Sequence, residues 1–315
     1  LVGSEMCIRD SNLTIPQTSI EGKAFTGKIY VTNHSCSTSE IPPAYITLLK
    51  AYGGKDNITE LPDSAFANVT TANDKGMYKK ADDLGTSYYY RGAVDNNWVK
   101  FGKEGTKDIY WRIIRINGDG SIRMIYSGTT APTESTKVVM TGTGTQITVD
   151  NTNTFKFNSS HNNPSYVGYM FTEGQQHGNG TPSTIKTAID NWYKKTTLET
   201  DATTKELVSQ DQIFCNDRSA TTSDSGTPGE ISGSMSTSTT YYYGAYARLV
   251  KNKKPKLTCT TASDKFTVNT SNGNGALTYP VGLITADEVA MAGGKFGTGN
   301  STYYLYTNQY YWSGS

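Results

Sequence analysis

The chain is poor in the residues that mark most functional classes. Hydrophobic residues make up 35% of its 315 positions and charged residues 18%, which is low against the roughly 45–50% apolar content of an average globular protein. Lys+Arg 29 against Asp+Glu 28 leaves a net charge of +1. No field of one sign is there to steer a nucleic acid, and the chain is not the highly charged kind that stays disordered. No run approaches the roughly 18 consecutive apolar residues of a membrane-spanning helix. Histidine is nearly absent: His34, His161 and His177 are scattered, and no cysteine has a Cys-x-x-Cys or Cys/His spacing. A metal site is therefore not expected, and no cofactor is implied. Also missing are a Gly-x-Ser-x-Gly elbow, a His-Glu-x-x-His pair, a phosphate-binding loop and a dinucleotide glycine fingerprint. No catalytic residue is assigned.

What is present is Thr, Ser, Asn, 31 Gly and 22 Tyr, with a mean hydropathy of −0.52. The ends are unlike the middle. Leu1–Ser11 (LVGSEMCIRDS) resembles a translated sequencing adapter and is set aside from the fold. The chain closes on the aromatic run Tyr310-Tyr311-Trp312-Ser313-Gly314-Ser315, which reads as a domain cut at its C-terminus. With Cys7 set aside, Cys36, Cys215 and Cys259 remain. Cys215 and Cys259 flank a polar loop, and a disulfide closing it would stabilise by about 3–4 kcal/mol on the chain-entropy argument. The alternative is two buried free thiols in a reducing compartment. Cys36 is either a free thiol or the partner of a cysteine outside this sequence.

Residues 12–75 read as an N-terminal spacer or small subdomain. Within them Ala24–Thr32 alternates as a strand, and Pro42-Pro43 opens a short helix, Ala44–Tyr52, closed by Gly53-Gly54. Residues 76–315 read as the main domain. Ser87–Ala93, Asn97–Phe101, Asp108–Ile116 and Ser121–Tyr126 are short β-branched and aromatic runs separated by Gly, Asp and Asn. Asn117-Gly118-Asp119-Gly120 joins the last two as a hairpin turn rather than a calcium loop, since acidic ligands do not follow it. Ser183–Leu198 carries Ile185, Ala188, Ile189, Trp192 and Tyr193 at helical spacing. Thr285 and Glu288 form a capping box at the start of a second helix, which Gly293-Gly294 ends. Ser219–Thr240 is nearly pure Ser, Thr and Gly and reads as a disordered surface loop. Lys251–Lys256 is a basic patch without interleaved aromatics, read as a solvated turn and not a nucleic-acid contact. His161 and His177 read as solvated loop histidines. Asp82, Asp83 and Asp264 have no evident partners in the sequence, and turn or capping roles suffice for them.

Leu283–Gly294 (LITADEVAMAGG) is similar to the capped helix of the formylglycine-generating (sulfatase-modifying factor) group, a branch of the C-type-lectin-like fold. Tyr310–Ser315 resembles the strand that follows it there. Ile284 and Val289 replace a Pro and a Trp of that pattern. Lys79–Val99, Trp111–Gly120 and Ile213–Ser219 resemble a family of uncharacterised surface proteins of gut Firmicutes-type bacteria, often with a prepilin-type or signal-anchored N-terminus. The resemblance implies an α+β, C-type-lectin-like domain: short twisted antiparallel strands, two amphipathic helices and long polar loops. It also implies an extracellular or cell-surface location, with a membrane or cell-wall anchor outside this sequence.

Nothing after Cys259 offers the paired thiols of the formylglycine chemistry, so the expected function is non-catalytic binding of a protein or glycan partner on a host or bacterial surface. The alternatives are an enzyme related to the formylglycine generators and a structural subunit of a pilus-like fibre. Tyrosine on strands gives rigid, amphipathic contact area, although it also builds cores. On that ground Tyr89, Arg91, Trp98, Tyr242, Tyr304 and Tyr306 are the candidate ligand-binding residues.

Overall fold

A computed structural model describes residues 5–8, 12–13, 29–30, 43–147, 157, 168–231 and 238–314. Among the described residues the main sheet has seven strands, β1 (Glu5–Ile8), β2 (Lys75–Asp82), β3 (Gly85–Gly92), β4 (Trp98–Glu104), β5 (Lys107–Ile116), β6 (Ile122–Tyr126) and β7 (Val281–Gly282), of which β3 to β6 are the four β-branched and aromatic runs. They form one antiparallel sheet in the order β7-β1-β6-β5-β3-β2, with β4 also paired to β5. The three longest α-helices among the described residues are α1 (Pro43–Lys50), α2 (Thr184–Tyr193) and α3 (Ala286–Ala292). The architecture is α+β, as the sequence implies.

β5 is the organising strand. Its register against β6 slips between Ile113 and Arg115, a bulge that sets two residues against one. Ile109, Trp111, Ile113, Ile114 and Ile116 consequently all enter the main core. Alternation sends Arg112 and Arg115 to the opposite face. The turn between β5 and β6 is the expected one: Asn117 N donates to Ser121 O at 2.8 Å, and Gly120 takes a positive φ of 87°.

Both helices read from the sequence form, with shorter ends than periodicity suggests. Ser183 caps α2 by accepting from Lys186 N, and Ile185, Ala188, Ile189, Trp192 and Tyr193 are buried. Thr197–Thr200 is a separate turn of helix. α3 has the full capping box of Thr285 with Glu288, and Gly293 ends it at φ 125°. In the N-terminal part read as a spacer, Ala44, Leu48, Leu49 and Ile58 pack into the same core as Tyr88 and Trp111. Tyr45 meets Tyr88, and Tyr52 meets Tyr90, both edge-on at 5.9 Å. Much of the tyrosine thus replaces aliphatic core.

Cys215 and Cys259 form a disulfide with Cα atoms 5.5 Å apart. Other expectations change. Ser219–Thr221, in the loop expected to be disordered, are buried, and Ala220–Thr221 pair with Tyr242–Tyr243. Backbone pairing there offsets the ordering entropy that composition alone left unmet. Residues 232–237 of that loop lie outside the described residues, as do Cys36, His34 and His161. Of Ala24–Thr32, Ile29–Tyr30 are described and pair with Asn12–Leu13. β2 was not read as a strand because its Lys-rich sequence suits an exposed edge. Glu5–Ile8, set aside as adapter, occupies a position inside the sheet.

Candidate binding groove and the buried ion pairs beneath it

α3 presents two carboxylates, one tied to the sheet and one to the segment Ala247–Asn252. Glu288 accepts from Arg115 Nε and Arg123 Nε, each at 3.0 Å. Arg115 also reaches Asp82 at 2.7 Å, whose carboxylate accepts from Gly118 N at 2.9 Å. Asp287 accepts from Arg248 Nε at 3.0 Å and Nη2 at 2.6 Å, and Arg248 reaches on to Asp217. Burial pushes the Arg248 guanidinium down, but Asp287 and Asp217 outweigh it and raise its pKa above the ordinary value. Burial pushes the Asp217 carboxyl up, but Arg248 and Ser219 hold it below the ordinary range. A third group centres on fully buried Asp264, which accepts from Arg218 Nε at 2.8 Å and from His177 Nδ1 at 3.0 Å.

These facts correct the reading of the acids as partnerless and of His177 as solvated. His177 is 6% exposed, and its Nε2 is buried without a hydrogen-bond partner. Residues far apart in sequence supply the partners: Asp82 with Arg115, Asp83 with Lys265, and Asp264 with Arg218. No local pattern announces them.

Above this layer the far side of α3 lines an open groove of about 1060 Å³. One wall is α3 itself, through Ala286, Val289 and Ala290. The opposite wall is the segment 243–255, through Tyr243, Tyr246, Leu249 and Val250. Ala247–Asn252 there is π-helical, a form found often at functional sites. It turns Arg248 inward to Asp217 and Asp287 while Leu249 and Val250 face the groove. Lys253 in the left-handed region (φ 57°) stops it.

The rest of the lining includes five aromatic rings, Phe157, Tyr303, Tyr306, Tyr311 and Trp312, together with polar residues such as Asn216 and Asn300. Phe157 and Trp312 stack edge-on at 5.4 Å, as do Tyr246 and Phe296 at 6.4 Å. Phe296 stands at the rim with 73% of its surface exposed. Burial raises the Tyr303 and Tyr311 phenols above their ordinary pKa, so both present neutral hydroxyls at neutral pH. Of the charged groups in the lining, Asp217 and Arg218 are already engaged in ion pairs, while Lys253 and Lys295 add two ammonium groups. The arrangement suits an apolar or aromatic-stacking ligand with a few hydroxyl contacts.

Of the six residues proposed from sequence, the structure brings two to this groove. Tyr306 lines it, and Tyr242 stacks on Tyr246 at 6.2 Å. The other four are buried in supporting roles. Tyr89 is 2% exposed. Arg91 donates to the carbonyls of Ala65, Ala290 and Met291, holding the end of α3. Trp98 and Tyr304 sandwich Arg112, whose guanidinium lies 4.3 and 5.2 Å from their ring centroids. Arg112 donates to Val94 O, Val138 O and Asn97 Oδ1, and burial pushes its pKa down to about 9. Sequence reasoning missed Tyr246, Phe296, Tyr311 and Trp312. Phe296 left a signal: a lone large apolar residue between Gly293-Gly294 and Gly297-x-Gly299.

Two of the four lysines of the basic patch have acidic partners. Lys251 pairs with Asp224 and Lys254 with Asp63, while the Lys256 ammonium donates to Thr260 Oγ1 at 2.7 Å and its backbone N–H to Asp287. Among the described residues, no group of three or more His, Cys, Asp or Glu could hold a metal ion, and no helix is long and apolar enough to cross a membrane. The chain matches no protein-family model, and comparison with curated proteins and with solved structures finds no match.

Proposed function

We propose that the chain is a non-catalytic binding or adhesion module, secreted or displayed on a bacterial cell surface, that recognises a protein or glycan partner through the aromatic groove. Its main domain is read as C-type-lectin-like. The observation that carries the reading is the groove itself: an open cleft of about 1060 Å³ walled by Tyr246, Phe296, Tyr303, Tyr306, Tyr311 and Trp312. Large rimmed apolar surfaces mark interaction sites, and aromatic anchors dominate binding energy. The acids and arginines below the groove are committed to one another, which leaves them to fix its shape. The Cys215–Cys259 disulfide supports an oxidising compartment.

The test is binding of the purified chain to arrays of glycans, mucins and intact bacterial or epithelial surfaces, followed by substitution at the rim. Phe296→Ser and Tyr246→Ser should each weaken a detected interaction by about tenfold or more, as expected for an aromatic anchor, with the circular dichroism spectrum unchanged. Binding that survives both substitutions removes the groove from the reading. Absence of any ligand across the arrays and surfaces removes the adhesion function.

A further inference from the structure

β1 is an unusual strand. It lies between β6 and β7, pairing Glu5–Ile8 with Ile122–Ile125 on one side and Glu5–Met6 with Val281–Gly282 on the other. β7 has no other partner among the described strands and belongs to the sheet only through β1. The two acceptor strands are the domain's own, while the donor is the segment whose sequence resembles a translated adapter. The slot is therefore a property of the domain and is not specific to the segment that fills it.

Its backbone needs a strand. β6 is buried along its whole length, from Ile122 to Tyr126, and unpaired N–H and C=O groups at such an edge template the addition of another chain. The slot also has a side-chain preference. Ile122, Met124 and Ile125 all enter the main core, and Ile122 and Met124 share one face of β6, so the two residues opposite them must be apolar and spaced by two, while the position opposite Ile125 is Glu5. Met6 and Ile8 hold those register positions in β1. Gly282 keeps the β7 side narrow, because a Cβ there would sit 2.5 Å from the Phe214 ring.

We propose that the slot between β6 and β7 is a strand-acceptor site. It takes an extended peptide segment of a partner polypeptide, antiparallel to both strands and apolar at alternate positions, and Glu5–Ile8 occupies it in cis as a plug. Recognition is then by strand addition: main-chain pairing supplies affinity, and the alternate apolar positions supply selectivity. This site is separate from the aromatic groove and stands or falls independently of it.

The test uses the full chain. Met6→Pro with Cys7→Pro withdraws one N–H from each side of β1, because successive strand N–H groups point to opposite neighbours. Amide exchange at Gly282 and at those amides of Ile122–Ile125 that face β1 should rise by at least about tenfold, while Val281, whose N–H donates to Tyr279 O, should not change. A peptide with the sequence of residues 1–11, added in trans, should restore protection saturably. The same peptide with Met6→Lys and Ile8→Lys should not. Exchange that does not rise, or that rises and is not reversed by the peptide in a variant whose disulfide and near-ultraviolet spectrum are intact, overturns the proposal. If the double variant does not fold, a photo-reactive version of the peptide is added in excess to the chain carrying Met6→Lys and Ile8→Lys, whose own plug is weakened. Cross-links to β6 and β7 then support the site, and their absence overturns it.

Discussion

Glu288 is the residue on which the sheet, α3 and the groove wall jointly depend, so its removal tests the structural argument most directly. Its side chain is 2% exposed. It accepts from Arg115 Nε and Arg123 Nε at 3.0 Å, and from Thr285 N at 3.0 Å within the capping box. Glu288→Ala leaves two buried guanidinium groups short of a counter-charge, which costs about 3–5 kcal/mol. It also removes half of the capping box, worth about 1 kcal/mol. The sum is about 4–6 kcal/mol. At about 1.5 °C per kcal/mol for a chain of this length, the midpoint of thermal unfolding should fall by about 6–9 °C. Glu288→Gln keeps an acceptor for the Thr285 N–H and loses only the charge, so it should fall short of the alanine variant by about the 1 kcal/mol of the cap. Urea unfolding followed by tryptophan fluorescence reads both, with Arg115→Met, Arg123→Met and Glu288→Met combined as the control. That triple variant removes every charge of the cluster except the Asp82 carboxylate, which retains Gly118 N and Leu84 N as donors. If the cost of Glu288→Ala arises from stranded charges, the triple variant recovers most of it. A loss below about 1 kcal/mol for Glu288→Ala, or a triple variant less stable than the single one, refutes the reasoning.

Three further outcomes are expected. Replacing both cysteines, Cys215→Ala with Cys259→Ala, frees a loop of sequence separation 44, and chain entropy puts the loss at about 4 kcal/mol; an unchanged urea midpoint after reduction and alkylation of the parent would exclude that role. Burial raises the phenols of Tyr89, Tyr90, Tyr126, Tyr169 and Tyr193, so the stability they contribute is complete below the unfolded tyrosine value near pH 10 and is lost as pH rises through the folded values. Arg112, depressed to about 9, works in the opposite direction as a single group. Tyrosinate absorbance from these five should therefore appear only together with loss of tertiary signal, and titration of all 22 tyrosines near pH 10 in a folded chain would contradict this. Gly92 sits at φ 86°, where a Cβ would lie 1.9 Å from Asp74 O; Gly92→Ala should lower stability by several kcal/mol or abolish folding, and a variant within about 0.5 kcal/mol of the parent would show that the turn relaxes freely.

How much of this was legible in the sequence depended on the range of the interaction. Strands β3 to β6, the Asn117–Gly120 turn and both capped helices came from signals within a few residues, and each forms with small shifts at its ends. The capping box was readable because Thr285 and Glu288 are three residues apart; that Glu288 also gathers Arg115 and Arg123 was not, since those partners lie on other strands. The same limit explains His177 and Asp264, whose pairing spans a separation of 87 residues. It explains the tyrosines too. In Tyr88-Tyr89-Tyr90 all three rings are buried, Tyr89 in a second core beside Leu257 and Met291, so strand alternation sends no ring of this run to solvent. The sheet is covered on both faces at that point, and the rings at the rim of the proposed groove lie outside strands. Tyr246 lies on a helical segment and Phe296 in a glycine-rich turn, where backbone geometry, not periodicity, sets the direction of the ring. A binding residue in this chain is thus better sought where an aromatic interrupts glycine than where tyrosines repeat along a strand, and the rim substitutions at Phe296 and Tyr246 test that rule together with the groove.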